Sequence, residues 1–357
     1  MENAPLSKNS QAICLLCIRL PNDYKSGVKP LTLTEFAQLY SWLISHDMQP
    51  ADILTWEKFE KELKSKICPV EKDRIRDLIN RGMSIAEHLE TWFRQGVWIL
   101  TLADPDYPEK LKKKLQDAAP PVIFGMGSKH LLKNRSVAVV GSRNADHRML
   151  SLTHNLAREL VKNDIQIVSG GARGIDAASM ETALKSGGAS IGFLANDLLR
   201  HGCSGGVREY IRDQKLLLLS AVNPEARFNA GNAMARNKYI YSLADAGIVV
   251  CSDIKGGTWE GAKEQLQKYH NNRIFVFNLD KKVAPGNSKL IKRGAHALDP
   301  DLLNEVPSHI SREDMPELSV TTKQYDFLED GALDQMSIQE NEKSVYKTPS
   351  DKDKKNG

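Results

Sequence analysis

The sequence predicts an α/β protein: a Rossmann-like, mostly parallel sheet with helices on both faces, preceded by a small helical N-terminal domain. Three observations carry this expectation. From Ser136 onward, short apolar runs alternate with segments of helical period. The runs are apolar throughout, as strands buried on both faces must be. Several end in glycine-bearing turns, at the strand ends where parallel sheets bind ligands.

The elements follow in order. Over residues 31–100, LTEFAQLYSWLISH, WEKFEKELKSK and VEKDRIRDLINRGMSIAEHLETWFRQG place apolar residues three and four apart and read as short packed helices. VWILTL reads as a strand, Tyr107-Pro108 opens a short helix, and Pro120-Pro121 breaks it before another apolar run. SVAVV, IQIVS, ASIGFLA, KLLLLSAV, AGIVVCS and RIFVFNL then read as strands. LSLTHNLARELVKND, IDAASMETALKSG, ARNKYIYSLAD and WEGAKEQLQKYH read as the helices between them. The expected division is a helical domain over 1–100, a connector over 101–135, the Rossmann-like domain over 136–300, and an acidic, largely disordered tail over 301–357.

Hydrophobic residues make up 41% and charged residues 26% of the chain, the composition of an ordinary soluble protein. The net charge of +4 hides an asymmetry: residues 301–357 carry 7 basic and 13 acidic side chains, a balance of −6 that leaves +10 upstream. A basic body suits a nucleic-acid surface, although scattered solvated lysines give the same sum. Five cysteines, Cys14, Cys17, Cys68, Cys203 and Cys251, show no framework spacing and suggest a reducing cytoplasm. Cys14 and Cys17 lie in the apolar run AICLLCIRL without a second pair or a histidine cluster, so buried structural thiols are expected rather than a zinc site. With no leader and no run of eighteen apolar residues, nothing directs the chain to a membrane.

The chemistry is expected at three turns. The first strand ends in Gly141-Ser142-Arg143, the second in Ser169-Gly170-Gly171-Ala172-Arg173-Gly174, and AGIVVCS leads to Gly256-Gly257-Thr258. Glycine lets a backbone approach a ligand, and helix N-termini present unpaired N–H groups to anions. Phosphate is the natural guest. Arg143 and Arg173 add permanently charged forks, and Arg236-Asn237-Lys238 opens a further basic cluster. No G-x-G-x-x-G follows the first strand, which disfavours a dinucleotide, and no cofactor is expected. Asp176 is expected to cap its helix, and His147, His154, His201 and His270 show no metal-ligand pattern. Trp259, Phe228 and Tyr239 are candidates for stacking on a base, with packing the simpler role for Trp259.

SVAVVGSR, IVSGGARGIDAASMETAL, MARNKYIYSLADAGIVV and GNSKLIKRGAHAL resemble the DNA-processing protein A (DprA/Smf) family, and YPEKLKKKLQDAAPPVIFGMGS resembles its connector. The resemblance implies a Rossmann-like fold that binds single-stranded DNA through its backbone, commonly as a homodimer, and passes the strand to RecA during natural transformation, without catalysis. It makes Arg143, Ser169, Gly170, Arg173, Arg236 and Lys238 the phosphate-facing residues, with Asp176 chiefly structural. Two departures widen the expectation. Gly256-Gly257-Thr258-Trp259-Glu260-Gly261 replaces the family's usual turn, and no winged helix is readable after residue 300. A role in phage defence, or beside a cognate toxin as an antitoxin-type regulator, therefore stands next to transformation. The altered turn also resembles part of the GGxGTxxE motif of LOG-type nucleotide phosphoribohydrolases, in which Arg236 and Glu260 would be catalytic.

Overall fold

The structure, a computed structural model, describes residues 6–311 apart from 22, 24–26, 64–66, 271 and 272. Of the acidic tail expected over 301–357, residues 301–311 are ordered, with Val306 and Ile310 buried, and those from 312 on lie outside the described residues. Among the described residues the α-helices that come first are α1 (Lys8–Cys17), α2 (Leu33–Ser45), α3 (Trp56–Leu63), α4 (Lys72–Asn80) and α5 (Gly82–Arg94). Then come β1 (Trp98–Thr101), α6 (Glu109–Leu115) and β2 (Val122–Met126). The alternating part runs β3 (Ser136–Val140), α7 (His147–Lys162), β4 (Gln166–Ser169), α8 (Ile175–Lys185) and β5 (Ser190–Leu194). It continues through α9 (Leu198–Gly202), α10 (Gly205–Arg212), β6 (Leu216–Ser220), α11 (Ala230–Leu243) and β7 (Ala246–Val249). It closes with α12 (Gly257–Gln267), β8 (Ile274–Phe277), α13 (Pro285–Ile291), β9 (His296–Leu298) and α14 (Val306–Ser311).

The described residues form one nine-stranded sheet in the order β1-β2-β6-β5-β4-β3-β7-β8-β9. From β6 to β9 all neighbours are parallel, and β1 and β2 extend the sheet antiparallel beyond β6. The Rossmann-like expectation holds, and 101–135, read from sequence as a connector, supplies a sheet strand: Phe124 stands opposite Ser220. VEKDRIRDLINRGMSIAEHLETWFRQG is two helices rather than one. Arg81, between α4 and α5, turns its guanidinium onto the carbonyls of Leu15 and Ile18 and the carboxylate of Asp23. That purchase on α1 reorients the chain.

Strand alternation divides the core. Val137, Val139, Ile167 and Leu218 face one layer, which is continuous with the apolar faces of the opening helices, including Trp92 and Leu39. Ala138, Val140, Val168 and Phe193 face the other, against Tyr239, Ile240 and Trp259. Trp92 is fully buried and meets Phe124 edge-on at 5.4 Å. All five cysteines are free thiols: Cys14 and Cys251 are buried, Cys17 and Cys68 half-buried, and Cys203 exposed. No helix among the described residues is long and apolar enough to cross a membrane.

Candidate functional site

Parallel pairing places the carboxyl ends of β4, β3 and β7 side by side, so the three glycine-bearing turns meet along one rim. They are bonded to one another. Ser142 N–H donates to Cys251 O at 3.0 Å and Ile175 N–H to Ser142 O at 3.3 Å. Thr258 Oγ1 donates to Gly141 O at 2.9 Å, and Arg173 Nη2 to Asn144 Oδ1 at 2.5 Å. Gly174, at φ +84°, sits where a Cβ would stand 2.4 Å from Ser142 O, so only glycine lets the second turn pass beneath the first. Two helices of eleven residues, α8 and α12, begin at this rim and direct their N-termini to it.

A cavity of about 340 Å³ opens there, lined by Arg143, Arg173, Arg236, Asn196, His201 and Phe228 together with Gly170 and Gly171. Arg143 and Arg173 are exposed, one from each of two turns. Arg236 differs: 6% exposed, it donates from Nη1 to Gly170 O at 2.7 Å and to Phe193 O, clamping the ends of β4 and β5, while its Nε has no partner among the described residues. Asp176, also buried, accepts the Gly170 N–H at 3.2 Å. Burial pushes its carboxyl up to about 6, against the pull of Arg236, the Gly141 and Gly170 N–H groups and Arg143. Three cations and two helix N-termini thus confront one carboxylate that ionises reluctantly. The arrangement attracts anions.

Several expectations need correction. Ser169 faces inward, its Oγ donating to Val139 O at 2.6 Å. Arg236 is a buried clamp at the back of the cavity rather than an exposed phosphate hook. Asn237 Nδ2 donates to Gly257 O at 3.0 Å and so braces the third turn. Lys238 points elsewhere: its Nζ lies 5.3 Å from the Tyr239 ring, it lines a groove beside Trp42 and Lys268, and burial pulls its ammonium down. Asp176 does not cap its own helix; it serves the neighbouring turn instead. Trp259 is packed under Arg293, 5.0 Å from the ring, and Tyr239 is buried against Phe193, whereas Phe228 is 59% exposed at the cavity mouth. Gly256 and Gly257 stay exposed, and Gly256 takes φ +95°.

Arg236 and Glu260 line different cavities. Glu260 is bonded to Lys263 at 2.6 Å and lines a separate cavity with Met234 and Asn237. Among the described residues no group of three or more His, Cys, Asp or Glu is placed to hold a metal. Asn196 and His201 were not expected at the rim. They enter from the end of β5 and from α9, a short helix without periodic signal, and the polar Asn196-Asp197 after GFLA was the available clue.

The profile of the family described as DNA recombination-mediator protein A matches residues 98–306. The chain is 27% identical over 288 residues to DNA processing protein DprA of Bacillus subtilis, which spans 74% of this chain and 93% of that one. It is 29% identical over 281 residues to Protein Smf of Synechocystis, spanning 76% of this chain and 67% of that one. The X-ray structure of DNA processing protein A from Streptococcus pneumoniae superposes with a TM-score of 0.61 at 22% identity, covering 84% of this chain and 97% of the other, a likeness of fold.

Proposed function

The chain belongs to the DNA recombination-mediator protein A family of DNA-processing proteins, and from that premise we propose that it binds single-stranded DNA through the phosphate backbone, without catalysis. The convergence of Arg143 and Arg173, from separate strands, on one cavity carries the reading. Two guanidinium forks at a glycine-lined rim suit phosphodiester oxygens, and they carry no base-specific information. Phe228 at the mouth offers an exposed ring on which any base can stack, which suits sequence-tolerant binding of single strands. Arg236 acts behind them by shaping the floor. In this reading Asn196 and His201, which line the same cavity, meet the sugar or base of a bound strand.

Fluorescence anisotropy with labelled oligo-dT tests this. Tight binding is expected at low salt, and Arg143→Ala and Arg173→Ala should each weaken it by about 1.5–3 kcal/mol, the range for a charged hydrogen-bonding group. Absence of binding at low salt, or full affinity in the double variant, contradicts the proposal.

A further inference from the structure

Two residues of α13, away from the arginines, govern where the chain leaves β7. Asn287 is fully buried and engages its whole amide: Nδ2 donates to Val250 O and to Phe277 O at 2.9 Å each, and Oδ1 accepts from Ser252 N–H at 2.8 Å. Its neighbour Gly286 donates its own N–H to Ser252 O at 2.8 Å, and a Cβ there would stand 2.2 Å from Asp253 O. Residues 250–253 are therefore gripped by three hydrogen bonds and by a backbone approach that no other residue permits.

The gripped segment reaches the cradle by two routes. Cys251 O accepts the N–H of Ser142, the residue before Arg143. Further along the same chain, Thr258 Oγ1 donates to Gly141 O. Both routes end on the Gly141-Ser142-Arg143 turn, and neither reaches the Arg173 turn directly. Only an asparagine-type amide supplies two donors and one acceptor here. A carboxylate would set an oxygen against two carbonyl oxygens, and a smaller side chain would leave buried backbone groups unpaired.

We propose that Gly286 and Asn287 are positioning residues for DNA binding: without touching the strand, they fix the exit of β7 and through it hold Arg143 at the angle at which it meets a phosphate. This rests on the DNA-binding reading above. The test is a double-mutant cycle on the full chain, with Asn287→Asp, Asn287→Ser and Gly286→Ala each made alone, with Arg143→Ala and with Arg173→Ala. Oligo-dT affinity is measured on protein shown by circular dichroism to be folded, well below its melting temperature. Asn287→Ser and Gly286→Ala accompany Asn287→Asp so that instability of one variant does not decide the matter.

Each tether variant should lose about tenfold in affinity, the loss should shrink below about twofold when Arg143 is already alanine, and it should persist in full with Arg173→Ala. A purely structural role lowers the melting temperature and leaves the affinity of the folded protein alone. Folded tether variants that bind like the parent overturn the proposal, as does an equal loss in both arginine backgrounds. If the parent itself fails to bind, or Arg143→Ala changes nothing, the DNA-binding reading falls first.

Discussion

Asp176 shows how one residue carries both stability and electrostatics. Its carboxyl lies at about 6 in the folded protein against an ordinary 3.8, because burial outweighs the nearby cations and N–H donors. The folded state therefore holds this proton more tightly than the unfolded chain does. The stabilisation is complete below 3.8 and is lost as pH rises through about 6, and the difference corresponds to about 3 kcal/mol. Unfolding by denaturant between pH 4 and 7 should show this slope, and Asp176→Asn should flatten it; a parent whose stability from this source rises over that window contradicts the assignment. Bound phosphate favours the same proton, so oligo-dT affinity should increase as pH falls through 6 in the parent and less so in Asp176→Asn. The residue-level signal in the sequence was incomplete. Asp176 was legible as an acidic residue in the first helical turn, but the N–H groups it serves are those of Gly170, six residues back in the turn before its helix, and of Gly141, which β3–β4 pairing brings to it.

At the scale of elements, β3 to β8 were legible because strands buried on both faces need uninterrupted apolar runs, and SVAVV, KLLLL and IFVF leave no competing reading. α9, α10, α13 and β9 were not, being short and held by tertiary contacts rather than by their own period. α1 was missed because burial on nearly every side erases amphipathic period: Ala12 to Leu16 are all buried. The three turns were legible as glycine-rich, yet spacing alone could not say which side chains of Arg236-Asn237-Lys238 faced them. Two residues, little more than half a helical turn, send Arg236 beneath the rim and Lys238 toward α2. The interlock of the first two turns gives a direct prediction. Gly174→Ala combines a positive φ with a clash against Ser142 O, so it should cost more than about 1 kcal/mol in denaturant unfolding and weaken oligo-dT binding. Unchanged stability and affinity would show that the two turns are not coupled. The loop before α11 supplies Phe228, whose replacement by alanine should cost about 1–3 kcal/mol of oligo-dT binding with no change in salt dependence. A change in salt slope instead would mean that the ring acts by placing the arginines.

Over the whole molecule, the opening helices and the sheet share one apolar layer. Trp92 of α5 is buried against Phe124 of β2, and its Nε1 donates to Glu225 at 3.3 Å. Removing it should cost about 3–5 kcal/mol, as for other buried aromatics, and calorimetry should show one transition moving down rather than two separating. Two resolved transitions would mean that residues 1–100 unfold independently. The parallel sheet makes the site possible at all, since it lines up the ends of β4, β3 and β7 so that arginines 30 positions apart in sequence reach one cavity. A cationic rim that holds phosphates makes binding salt-dependent. Each phosphate contact to a single strand contributes about 0.7 to the slope of log K against log salt. Oligo-dT titrations across salt should therefore give slopes smaller by about 0.7 for Arg143→Ala, the same for Arg173→Ala, about twice that for the pair, and no change for Lys238→Ala. Slopes identical to the parent in both arginine variants, or a drop seen only with Lys238→Ala, would contradict the account.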